Sequence, residues 1–231
     1  MKYVQNAIKA SDEKMKQTLV IIIPNTSEYE GKTYAWEDGS TLSICPRSAK
    51  DYPYDTRGTV QHEAGGHGFG KLADELIRHS AYIDNCGCSC CDHDNMVKYA
   101  QALGWYQNVS LTEKTQNVPW SHLLKDSRYS DIVDVYEGAF MHSKGAFRSE
   151  QTSCMNKYTP YYNTISRESI VKRIKNYAGE SFSYEDFVKK DNRSVVSLSR
   201  GAAAHTATTT SHKHSHPVIM KGSPLHGRAR R

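Results

Sequence analysis

The sequence has no run of about 18 apolar residues, so it offers no membrane-spanning helix. Its longest apolar stretch, Leu19 to Ile23, stops at Pro24 and has the length of a strand. The opening "MKYVQNAIKASDEKMKQ" lacks an apolar core, so this chain shows no signal peptide. Acidic residues are missing from 192–231, which hold seven Lys/Arg. The net charge of +5 therefore belongs to that segment, because residues 1–191 carry 23 Lys/Arg against 25 Asp/Glu. The segment also lacks any aromatic residue on which a base would stack, which argues against nucleic acid as a partner. It reads as a basic, low-complexity, solvated tail, and the domain is expected to span 1–191.

What is present has ordinary charge and apolar content, with length enough for one full core. Residues 3–16 have partial helical periodicity, and "TLVIIIPN" (18–25) reads as a buried strand. "KTYAWEDGSTLSIC" (32–45) reads as a hairpin turning at Asp38-Gly39. Residues 76–83 are expected as helix or turn, 95–103 as a short helix ending at Gly104, and 105–130 as a long loop. "SDIVDVYEGA" holds a short element, and "RSEQTSCMNKYTPYY" reads as a turn. A helix is expected over 166–178, capped by Ser166 and stopped at Gly179, with Ile170, Val171, Ile174, Tyr177 and Ala178 on one face. A shorter helix should start at Ser183. The mixture implies an α+β fold.

The chemistry concentrates in "GTVQHEAGGHGFGKLADE", residues 58–75. His62-Glu63 begins like a zinc-protease helix, but His67 follows His62 by five residues instead of four. On an α-helix, residues four apart differ by roughly 40° around the axis, whereas residues five apart differ by roughly 140°. A regular helix, expected from near Thr59 to about Gly70, would aim the two imidazoles at opposite sides. A π-type turn, closed by i→i+5 bonds, returns them to one face. Gly65-Gly66 would cost a plain helix about 1 kcal/mol per glycine, so the extra residue reads as accommodated by a local widening there. Asp74 is then the third ligand of a zinc ion, with Glu75 the alternative, and Glu63 the general base beside the first ligand.

Together with "RSEQTSCM" much later, "VQHEAGGHGFGKLADE" resembles the IgA-peptidase family of bacterial zinc metallopeptidases, in its Gly-Gly-containing branch. "IIIPNTSEYEGKTYAWEDGSTLSICPRS", "YPYDTRG", "PWSHLL", "YEGAF" and "SRESIVKRI" extend the resemblance over about residues 18–191. It implies a metzincin-like zincin: a mixed sheet over the zinc-binding helix, a methionine turn at Met155, and a mainly helical C-terminal part. It also implies that strand 41–45 is an edge that pairs with extended protein or peptide substrate, and that Tyr158 is placed as an oxyanion donor. Arg148, Glu150 and Glu137 are expected as buried pairing groups. Leu76 departs from a tyrosine usual in the family, and Asp74 stands seven residues after His67 where metzincin spacing has six. Such proteins carry a signal peptide, so the full-length protein is expected to be extracellular or periplasmic, with this chain an N-terminally shortened piece lacking its first strand.

Cys86, Cys88, Cys90 and Cys91 lie within six residues, and Cys45 and Cys154 stand apart. The dense four suit either a disulfide-stapled loop or a structural metal, which His93 could join. "HTATTTSHKHSH" (205–216) reads as tail with weak metal affinity. Three functions follow as expectations: a zinc endopeptidase, a catalytically silent metal-binding or interaction module of the same fold, and a thiol-centred metal or redox protein.

Overall fold

The computed structural model describes residues 1–28, 30–84, 92–158, 161–191 and 216–224. The described residues fall into two compact units, one of residues 1–69 with 216–224, the other of residues 70–191. Both mix helices with sheet of mixed strand direction, so the fold is α+β.

The first unit opens with α1 (Lys2–Ile8) and α2 (Asp12–Lys16). They are two helices rather than one because Lys9 turns left-handed (φ 51°) and Ser11 recaps the chain, its Oγ accepting from Lys14 N. Strands β1 (Leu19–Ile22), β2 (Lys32–Trp36) and β3 (Thr41–Ile44) follow. The β2–β3 hairpin turns at Asp38-Gly39 as expected. Gly39 takes φ +96°, Trp36 N donates to Ser40 O at 2.9 Å, and Asp38 Oδ1 accepts from Ser40 N.

The sheet order is β1-β3-β2-β8, where β8 (Val218–Met220) comes from the stretch read as tail. Strand β1 pairs parallel to β3 (Leu19↔Thr41), and β8 parallel to β2 (Ala35↔Ile219). Two expectations are corrected here. Strand 41–45 is not an edge, because β3 is flanked by β1 and β2. Nor is β1 a buried strand: it is the outer strand of this sheet, and Ile21, Ile22 and Ile23 are 42%, 43% and 58% exposed. An apolar run sets strand propensity, but burial depends on what covers the strand.

The buried face of the hairpin alternates with period two: Thr33 and Ala35 on β2, Thr41 and Ser43 on β3. All four are small. They meet the motif helix, which begins as α3 (Thr56–Thr59), capped by Asp55, and continues as a π-helix over Val60–Phe69. Small hydroxylated residues allow close backbone approach and hydrogen-bond to the helix carbonyls. Thr41 Oγ1 donates to Gly68 O, and Thr33 Oγ1 lies 3.0 Å from Glu63 O. A Cβ on Gly68 would come within 2.7 Å of Leu19 Cδ1 and 2.9 Å of Ser43 Oγ.

The second unit is organised around β7 (Met141–Arg148), which pairs parallel with β4 (Ile77–Tyr82) and antiparallel with β5 (Val109–Ser110) and β6 (Tyr136–Ala139). Residues 77–82 are thus a strand, correcting the helix-or-turn expectation. Helix α4 (His93–Ala102) stops just before Gly104, which takes φ +75°. The stretch 105–130 is more than loop. It includes β5 and α5 (Ser121–Leu124), and its Trp120, Leu123 and Tyr129 are fully buried. They form a core with Val118, Ile132, Val133, Tyr161, Ile165 and Phe187. Trp120 Nε1 donates to Asp134 O at 2.9 Å, so the indole is buried with its polar atom satisfied.

Helix α6 (Cys154–Lys157) is a single capped turn, where Ser153 and Asn156 form a reciprocal capping box. Helix α7 (Thr164–Tyr177) starts earlier than expected. Its cap is Asn163, whose Oδ1 accepts from Ser166 N at 3.1 Å, and Glu150 Oε1 takes Thr164 N at 2.6 Å. Ser166 is therefore buried inside the first turn rather than capping it. Gly179 ends the helix with φ +69°. The expected apolar face is covered only in its first half, since Ile174 and Tyr177 are exposed. Helix α8 (Tyr184–Lys190) starts at Ser183, whose Oγ accepts from Asp186 N. Among the described residues no helix is long and apolar enough to cross a membrane.

Candidate metal centre

The π-helix decides the geometry of the two histidines. Its i→i+5 bonding advances the chain five residues per closed ring, so His62 and His67 fall on one face. Their Nε2 atoms are 3.1 Å apart, with the rings nearly perpendicular (88°). Both are buried. The widening is not confined to Gly65-Gly66 but runs from Val60 to Phe69. Asp74 completes the group: one ligand atom from each of His62, His67 and Asp74 lies within 4.8 Å of the others, and all three residues are buried. Two imidazole nitrogens and one carboxylate oxygen form a borderline donor set that suits zinc and similar divalent ions, and three protein ligands leave a fourth position for water or substrate.

Glu63 is 1% exposed. Its Oε2 and its backbone carbonyl lie 2.8 Å and 3.0 Å from Thr33 Oγ1, whose one proton can go to either, and the carbonyl also accepts from the Ser43 hydroxyl. Gly31 closes over it. A Cβ there would stand 2.4 Å from Glu63 Cγ and 2.7 Å from Oε1, so only glycine leaves room for this side-chain position. Nearby, burial first and the Glu63 charge second push the Cys45 thiol up to about 12, which keeps it protonated and inert.

Glu75, the alternative ligand, is engaged elsewhere. Oε1 accepts from Asn108 Nδ2 at 2.8 Å and Asn163 Nδ2 at 2.7 Å, and Oε2 accepts from Ser153 Oγ at 2.6 Å. Burial pushes its pKa up to about 7, against the opposing pull of those three donors and of Arg148. Its N–H donates to Met155 O at 2.8 Å. Glu75 thus ties the chain after Asp74 to β5's entry, to the Met155 turn and to the start of α7. Asp74 O accepts from Phe140 N at 3.0 Å. Burial, reinforced by the Asp74 charge, raises the pKa of fully buried Tyr106 and holds its phenol protonated.

Met155 is fully buried in α6 beside Ser153, and Tyr158 follows it in a left-handed conformation (φ 53°). Of the three groups expected to be buried, Glu150 is buried and receives the α7 amide, Arg148 is half-buried and donates to the Glu137 and Gly138 carbonyls, and Glu137, contrary to expectation, is exposed and meets Lys144 at 2.9 Å. Cys86, Cys88, Cys90 and Cys91 lie outside the described residues.

Sequence reasoning missed Gly31, Thr33 and Ser43 around Glu63, and Asn108, Ser153 and Asn163 around Glu75. The first set left a trace: small polar residues on the inward positions of two strands signal close backbone approach. The second left none, because its members stand 33, 78 and 88 residues from Glu75. No protein-family model matches the chain, and neither does any curated protein.

Proposed function

We propose that the chain is a zinc-dependent endopeptidase with a metzincin-like architecture, of the IgA-peptidase type that its motifs resemble. The observation that carries this reading is the π-helix that faces His62 Nε2 to His67 Nε2 at 3.1 Å, with Asp74 in the same buried group. His62, His67 and Asp74 would hold the ion. When bound, zinc supplies Lewis acidity, lowering the pKa of a water and polarising a carbonyl oxygen.

The chain's own residues do the rest. Glu63 takes the proton of the attacking water and returns it to the leaving amine. Thr33 and Gly31 fix where that carboxylate sits. Met155 contributes an apolar thioether, and Tyr158 a hydroxyl for the oxyanion. The substrate is a protein or peptide in extended form, and the site of action is extracellular or periplasmic.

One observation favours a silent metal-binding module instead: Glu63 Oε2 already lies within hydrogen-bond reach of Thr33 Oγ1. A single comparison separates the two readings. Zinc-loaded protein is assayed on unfolded protein substrates with and without a chelator, and again as Glu63→Gln. The endopeptidase reading expects hydrolysis that chelation abolishes and that Glu63→Gln lowers by about 10²–10⁴-fold with the metal retained. Hydrolysis that survives both treatments overturns the mechanism, and zinc-replete protein inert on every substrate leaves the silent module.

A further inference from the structure

Away from this centre, two histidines from different elements of the second unit each lie against a third, with ring centroids 5.0 Å and 5.6 Å from it. His142 lies on β7, His93 opens α4, and His79 lies on β4. His142 and His93 are 0% and 4% exposed. His93 Nδ1 and His142 Nε2 face each other at 2.7 Å. The other nitrogen of His142, Nδ1, lies 3.3 Å from the Ala81 carbonyl. That carbonyl can only accept, so Nδ1 carries the proton and the Nε2 lone pair is directed at His93. An imidazole anchored through its far N–H to a backbone carbonyl is the arrangement that orients a metal-ligating histidine. His79 is the registered partner of His142 across the parallel β4–β7 pair, and its ring centroid is 5.6 Å from that of His142. His79 is exposed, which gives the group an opening to solvent.

We propose that His93, His142 and His79 form a second site for a divalent transition ion of zinc's class, structural in role, which ties α4 to the β4–β7 pair. Two nitrogens on one tetrahedral zinc, each at 2.0–2.1 Å, stand about 3.3 Å apart. Opening the His93–His142 contact by about 0.6 Å therefore admits the ion. His79 supplies the third nitrogen by a rotation that its exposure permits. Water takes the fourth position. The clamp has a mechanical consequence. His142 follows Phe140 by two residues, Phe140 N donates to Asp74 O, and the His93 ring packs edge-on against Phe140 at 5.6 Å. A metal here would brace the strand pair to which Asp74 is anchored.

The test uses the full chain as His62→Ala/His67→Ala, so that the first centre contributes nothing, with thiols alkylated under non-reducing conditions. After dialysis against a weak chelator to strip loosely held ions, zinc is counted by mass spectrometry, and cobalt is substituted to read ligand-field bands. One equivalent is expected. Adding His93→Ala or His142→Ala removes it, and His79→Ala weakens it about 10-fold or more. Because His79 is exposed, that variant keeps its fold even where the buried ones do not. A folded, alkylated double variant that holds no zinc overturns the proposal, as does zinc binding undiminished by His79→Ala. Neither result bears on the His62–His67–Asp74 centre.

Discussion

At the scale of single residues, the candidate centre depends on contacts that tolerate no added atom. Gly31 is the sharpest case, since its missing side chain is the space that Glu63 occupies. Gly31→Ala should displace the Glu63 carboxylate, which sits at the end of a flexible side chain, and leave His62 and His67 in place. The expected outcome is full zinc stoichiometry with activity down at least about 10-fold, within the range that a misplaced general base costs. Unchanged turnover in a zinc-loaded Gly31→Ala protein would show that the position of Glu63 does not matter. Thr33→Val tests the same carboxylate from the other side, by removing the one hydroxyl within reach of both Oε2 and the Glu63 carbonyl. It should be destabilised by about 1–3 kcal/mol, measured by urea unfolding, because it leaves a buried acceptor short of its partner.

At the scale of elements, local signals were legible where chain chemistry dictates backbone geometry. Asp38-Gly39 specified the hairpin turn, Ser183 and Gly179 marked helix ends, and the five-residue histidine spacing demanded π-type winding. Signals failed where long-range pairing decides the outcome. Strand β7, the hub of the second sheet, does not alternate, and it contains Gly145 at φ +78°. Strand β4 is nearly all exposed and carries two register shifts, so it has no buried face to show. The start of α7 moved because Glu150, 14 residues upstream, takes an amide that Ser166 could not reach. The extent of the π-helix was also hidden, since it is held by hydroxyls of β2 and β3 on the Glu63 and Gly68 carbonyls.

That dependence on the whole winding yields a prediction. Deleting Gly65 restores a four-residue histidine spacing, but it forces a choice between the Glu63 and Gly68 contacts, which are fixed five residues apart. The deletion should lower zinc affinity at least about 100-fold, as loss of the supporting contacts around metal ligands does. Competition against a chromogenic chelator reads this directly, and wild-type affinity in the deletion would mean that ordinary α-helical spacing serves equally well.

At the scale of the molecule, the second unit rests on the hydrophobic core around Trp120, so Trp120→Ala should cost about 3–5 kcal/mol in urea or thermal unfolding. The same unit carries a buried carboxylate, Glu168, that accepts from His122 at 2.7 Å and pairs with Lys172. Burial alone would raise its pKa, but these two partners outweigh burial and hold the carboxyl below the usual range. The ionised form is therefore favoured by folding. Its contribution is fully present above the unfolded value of about 4.3 and is lost as pH falls through the lower folded value. Wild type should exceed Glu168→Gln in unfolding free energy above about pH 4.3, with the gap closing in more acid solution. A gap that persists or widens in acid would show that the pair does not stabilise the fold through its charge.

The central claim is that a π-helix brings His62 and His67, five residues apart, onto one ion with Asp74. Anomalous diffraction from zinc-loaded crystals tests it most directly. The account predicts a peak at about 2.0–2.2 Å from His62 Nε2, His67 Nε2 and a carboxylate oxygen of Asp74. A zinc-replete crystal with no peak there, or with Glu75 in place of Asp74, would contradict it.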